Sequence, residues 1–175
     1  MPTEIEIYGN YMADVRARID LVRGLLTIGV TQAMPEFALA EVIFLQLRKV
    51  LELIAFASLA ANKDAYATAY PTFAEDWKAK RILEKIGELN PDFYPMALDE
   101  PQEIAPGRKH FDRPATGFLT KDEFVTLYQA ASEVLHTRNP YTAKSLTNPN
   151  WLHRGRMGFA HSAASDVAPR GAYQR

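Results

Sequence analysis

The side chains best able to do chemistry fall in two places. Glu41, Arg48 and Glu52 lie at spacings of seven and four inside a strongly apolar stretch, so on a helix they share one face. Burying any of them unpaired would cost several kcal/mol. They predict either a salt-bridged seam between helices, or a face turned to solvent, or an Arg–Glu pair set in a binding cleft. The second place is Leu135-His136-Thr137-Arg138-Asn139-Pro140-Tyr141. A histidine at a helix C-terminus is favoured as the cation by the helix dipole. There it caps the last carbonyls, or acts as a general acid or base while Arg138 stabilises an anion. Arg138 and Asn139 are expected to stand exposed where the chain turns at Pro140. His136 and Arg48 can meet only if their two helices pack together.

Four helical segments are expected to position these groups. In residues 8–29, Tyr8, Tyr11, Met12, Val15, Ile19, Val22 and Leu26 recur at spacings of three and four, which predicts an amphipathic helix stopping at Gly29. Pro35 opens a second helix running to about Asn62. It is apolar nearly all round, the mark of the central helix of a bundle. Pro71 is expected to open a third, to about Leu89, with Asn90-Pro91 ending it because the residue before proline avoids the α region. Residues 91–119 hold five prolines, Pro91, Pro95, Pro101, Pro106 and Pro114, with Gly107 and Gly117. That density predicts an irregular or β-hairpin insertion, with Phe93–Met96 and Arg108–Phe111 as short edge strands. Thr120 and Glu123 have the spacing of a capping box, opening a fourth helix that ends near Asn139-Pro140. The fold class is therefore mainly α, a four- to five-helix bundle with a small insertion, over residues 1–150. Residues 151–175, rich in glycine, alanine and arginine, read as a flexible tail.

Composition sets outer bounds. The chain has 175 residues, suited to one domain, with 47% hydrophobic and 23% charged residues and no cysteine. A disulfide framework, a thiolate metal site and a cysteine nucleophile are excluded. Residues 1–100 carry 10 basic and 15 acidic side chains, whereas residues 101–175 carry 10 basic and 6 acidic. A basic half can face nucleic acid, or be a solvated surface only. The N-terminal run Met1–Glu6 is acidic and has no apolar core segment, so no signal peptide and a cytoplasmic location are expected. The four histidines are scattered, and there is no glycine-rich phosphate loop and no G-x-S-x-G. No metal and no cofactor are expected. The apolar stretch from Phe37 to Ala61 contains Glu41, Arg48, Lys49 and Glu52, so no membrane span is expected.

The string from Glu41 to Asn62, the segment Asn90-Pro91-Asp92-Phe93-Tyr94-Pro95 and the segment Leu135–Pro140 resemble parts of uncharacterised bacterial all-α proteins that look like HEPN domains. HEPN domains are helical bundles common in toxin–antitoxin and phage-defence systems. Many are metal-independent ribonucleases in which an Arg and a His, contributed across a homodimer, act on the RNA 2′-hydroxyl and phosphate. The resemblance implies a homodimer, with RNA or another protein as partner, and catalysis by His136 and Arg138. The sequence departs from the signature, which places His four to six residues after Arg. His136 precedes Arg138, and the formal matches pair Arg154 or Arg156 with His161. Two functions follow from this. One is a non-catalytic helical interaction module, with Glu41, Arg48, Glu52 and Asn139 as binding groups. The other is a metal-independent ribonuclease using His136 and Arg138.

Overall fold

A computed structural model describes residues 2–99, 101–115 and 118–136. The protein is mainly helical, with a small antiparallel hairpin. Helix α1 spans Glu4–Ile28, α2 Glu36–Ala61, α3 Lys63–Ala69, α4 Ala79–Leu89 and α5 Lys121–Leu135. Strands β1, Gln102–Ala105, and β2, Arg108–His110, lie between α4 and α5.

Helix α1 starts four residues earlier than its apolar periodicity indicates. Thr3 accepts a hydrogen bond from the Glu6 backbone N–H, and the Glu6 carboxylate accepts one from the Thr3 backbone N–H. Two of the orphan donors at the helix start are thereby satisfied. Thr120 and Glu123 form the same reciprocal cap on α5, at 2.8 and 3.3 Å. Hydrogen bonds from the Thr120 backbone and side chain hold the Glu123 carboxyl below its ordinary pKa.

Helix α2 is the centre of the bundle, packing against α1, α4 and α5. Leu39, Ile43, Phe44, Leu47, Val50, Leu51 and Ile54 along it are buried, which explains its nearly uninterrupted apolar character. Helix α1 runs antiparallel beside it. Arg18 donates to Gln46 Oε1 at 2.8 Å, and Glu4 pairs with Lys63 just past the far end of α2. Gly29, with φ of 69°, closes α1 through its N–H to the Leu25 carbonyl.

Three further boundaries differ from the sequence expectation. The third long helix does not begin at Pro71. Residues Lys63–Ala69 form the short α3, Phe73–Glu75 form one 3-10 turn, and α4 begins only at Ala79. Polar contacts made by Asp76 fix this interruption, described below. The hairpin pairs Gln102–Ala105 with Arg108–His110, so the second expected strand is present but Phe93–Met96 is not a strand. Phe93 is instead buried and packs on the bundle core. Pro106 and Gly107, the latter with φ of 72°, make the tight turn, as suits Pro followed by a left-handed Gly. Helix α5 ends at Leu135, with His136 as its extended C-cap, rather than near Asn139-Pro140. The expected tail at 151–175 lies outside the described residues.

Candidate functional site

The α2 charges separate into a pair and a lone group. Arg48 Nε lies 3.3 Å from Glu52 Oε1, one helical turn away, and Lys49 Nζ lies 2.8 Å from Glu52 Oε2. The Arg48 guanidinium also lies over the Tyr128 ring of α5, 5.3 Å from its centroid. This distance is within the range of a cation–π contact. Tyr128 in turn stacks on the buried Phe124, ring planes 3° apart. Arg48 therefore joins α2 to α5 at the edge of the core, about one quarter exposed, with its charge matched by Glu52. Glu41 does not join them. It is exposed, and among the described residues no hydrogen bond or ion pair links it to Arg48. The face the three residues share is solvent-facing at its Glu41 end and packed on α5 at its other end.

The second group is only partly placed. His136 is exposed, and its backbone N–H bonds the Ser132 carbonyl at 3.1 Å. It thus closes α5 with its backbone. Arg138 and Asn139, and the alternative Arg154, Arg156 and His161, lie outside the described residues. Helices α2 and α5 do pack together, as a meeting of Arg48 with His136 requires. Arg48 meets α5 at Tyr128, however, eight residues before His136, or about 12 Å along a helix. Among the described residues no hydrogen bond joins Arg48 to His136.

The most enclosed polar cluster lies where α2, α3 and α4 meet, and sequence spacing did not indicate it. Tyr66, fully buried on α3, donates its hydroxyl to Asp76 Oδ2 at 2.8 Å. Lys85 on α4 donates to the same oxygen at 2.7 Å. The side chains of Lys85 and Asp76 are 17% and 12% exposed, so water screens this pair little. The Lys85 ammonium also sits 4.5 Å from the Tyr70 ring centroid. Tyr70 donates its hydroxyl to Glu88 at 2.9 Å. The Lys85 hydrogen bond lowers the Asp76 pKa, partial burial opposes it, and the Tyr66 hydroxyl adds to the lowering. Burial above all, then the bond to Asp76, raises the Tyr66 pKa. Beside the cluster, Asn90 donates to Asn62 Oδ1 at 2.9 Å, and Asn62 donates to the Ser58 carbonyl at 2.8 Å. These two asparagines tie the end of α4 to the end of α2.

Comparison with protein-family models, with curated proteins and with solved structures gave no match to this chain. The site must be judged on its own geometry. Asp76 has both a cation and a phenol bonded to Oδ2, so that oxygen is engaged by the fold. Tyr66 is ill-suited to lose its proton, and Lys85 is held between a carboxylate and two aromatic rings. This arrangement fastens residues 70–78 to the bundle. Among the described residues no three His, Asp or Glu side chains are placed to hold a metal ion, and no helix is long and apolar enough to cross a membrane.

Proposed function

We propose that the chain is a non-catalytic, HEPN-like helical interaction module, a subunit or antitoxin-like partner that works by binding. The observation that carries this reading is the engagement of Arg48. Its charge is matched by Glu52 and its plane is covered by Tyr128, so it supports the α2–α5 contact instead of waiting for a phosphate. His136 fits the same reading, since its backbone closes its own helix.

The binding surface in this reading is the α1–α2 hairpin. Leu21 and Ile28 on α1, and Phe37 and Leu45 on α2, are exposed at 42–69%. Residues seven apart on α1 and eight apart on α2 each form a stripe along one side of a helix. The occupant we assign is a second copy of this chain, in line with the dimer that the HEPN resemblance implies.

Two measurements on purified protein test this together. Light scattering should give the mass of a dimer for the wild type, and of a monomer for Phe37→Glu with Leu45→Glu at unchanged helicity. A labelled RNA pool in EDTA should remain intact. Cleavage that disappears in both His136→Ala and Arg138→Ala, with melting unchanged, would overturn the reading and make the chain a metal-independent ribonuclease.

A further inference from the structure

A groove of about 680 Å³ opens between the loop after α4 and the segment that leads into α5. Its volume falls in the range of small-molecule sites, about 300–1,000 Å³. Tyr94, Pro95 and Met96 after α4, and Pro114 and Phe118 ahead of α5, line it. Arg113 and Lys121 line it as well, and among the described residues the one carboxylate in the lining is that of Asp92. Neither cation has a carboxylate within ion-pairing distance among the described residues, in contrast to Arg48 and Lys85.

The groove is held in shape by the core beneath it. Phe93 is 3% exposed, and the Lys121 ammonium lies over its ring, 5.0 Å from the centroid. Gly87 on α4 permits this. A Cβ there would come within 3.1 Å of the Phe93 ring and 3.4 Å of Lys121 Nζ. Tyr94 meets Phe93 and Phe124 edge-on, with centroids 6.2 and 6.4 Å away. Three prolines, Pro91, Pro95 and Pro114, further restrict the lining. A pre-formed, mostly apolar site with a few charged groups is the usual form of a ligand pocket.

The chemistry of the lining selects the ligand. Aromatic and methionine walls favour a flat apolar body. The planar guanidinium of Arg113 matches a carboxylate or a phosphate through paired hydrogen bonds. The net charge of the three ionised groups among the described lining residues is one positive unit, which balances a monoanion and leaves a phosphate dianion in excess. We infer that this groove binds a small aromatic carboxylate. The site lies on the connection between α4 and α5 and on the first residue of α5, away from the α1–α2 hairpin, so it stands whether or not the chain works as an interaction module.

Calorimetric titration with 2-naphthoate, beside 2-naphthylmethanol and 2-naphthyl phosphate, tests the inference. Saturable one-to-one binding of the carboxylate is expected, at least tenfold tighter than either analogue. Arg113→Ala should weaken it at least tenfold, and Arg113→Lys should fall between, since it keeps the charge and loses the fork. Arg113 is exposed, so melting of both variants should match the wild type. No binding of 2-naphthoate, equal binding of the alcohol, tighter binding of the phosphate, or unchanged affinity in Arg113→Ala would each overturn the assignment.

Discussion

Arg48–Glu52 and Lys85–Asp76 are both ion pairs at the edge of the same core, yet they hold different things together. Arg48 and Glu52 sit one turn apart on a single helix, with side chains 24% and 21% exposed. Their pairing adds nothing to the topology, and among the described residues it is the Tyr128 ring that ties Arg48 to a neighbouring helix. Lys85 and Asp76 come from different elements and are less exposed, and a buried phenol shares the carboxylate. An ion pair that closes the chain and is shielded from water matters more than one that decorates a helix, because its loss leaves a charge with little solvent to receive it.

The sharpest way to break this comparison is to remove Asp76. Asp76→Ala strands the Lys85 ammonium and the Tyr66 hydroxyl, and should cost about 2–4 kcal/mol in urea unfolding. A loss below 0.5 kcal/mol, on the order of a neutral surface change, would show that the cluster is not what holds residues 70–78.

Acid should then separate the two regions. The pKa of Asp76 is lowered in the folded protein, chiefly by Lys85. A folded value below the unfolded one means that the stabilisation is fully present above the unfolded carboxylate range, about pH 4–5, and is lost as pH falls through the folded value. Urea midpoints between pH 6 and pH 2 should fall more steeply for the wild type than for Asp76→Asn. The capped carboxylates Glu6 and Glu123, both also lowered, contribute to the slope that remains in that variant. Parallel slopes would remove Asp76 from the account.

Tyr66→Phe is a milder cut into the same cluster. The ring stays, and with it the packing against Tyr70 and Phe73. The Asp76 carboxylate keeps Lys85, so the loss should be about 1.5–2 kcal/mol, the low end for one hydrogen bond to a charged partner.

How much of this was readable in the sequence follows the reach of each signal. Helix α2 was placed to within a residue because Pro35 and Asn62 bound an apolar run. The cap on α5 was readable because Thr120 and Glu123 satisfy a four-residue rule. Thr3 and Glu6 obey the same rule at the start of α1, where the periodicity of the apolar residues drew the boundary too late. The break between Ala69 and Ala79 was not readable. Its cause is a carboxylate bonded to partners ten residues before it and nine after it, a pattern with no fixed spacing. The insertion was placed correctly by its prolines, and so was the strand at Arg108–His110, but Phe93–Met96 is not a strand: Phe93 and Tyr94 look like strand residues and are anchors of the loop. Arg48 and Glu52 were found, since i, i+4 pairing is local. That Glu41 stands apart from them depends on how α5 covers one end of the face.

That last point gives the finest test. Arg48→Met keeps a long apolar stem against Tyr128 and removes only the charge, so it should cost about 0.5–1 kcal/mol, within the range of partly exposed ion pairs and cation–π contacts. Glu41→Ala, on the same helix face by spacing, should stay within about 0.5 kcal/mol of the wild type. A double-mutant cycle between Arg48→Met and Tyr128→Leu should show coupling, because the two side chains touch. The cycle between Arg48→Met and Glu41→Ala should be additive, because they do not. Coupling in the second cycle and none in the first would reverse the assignment. The face would then act as one charged surface, and Arg48 would be free to meet a ligand instead of bracing α2 against α5.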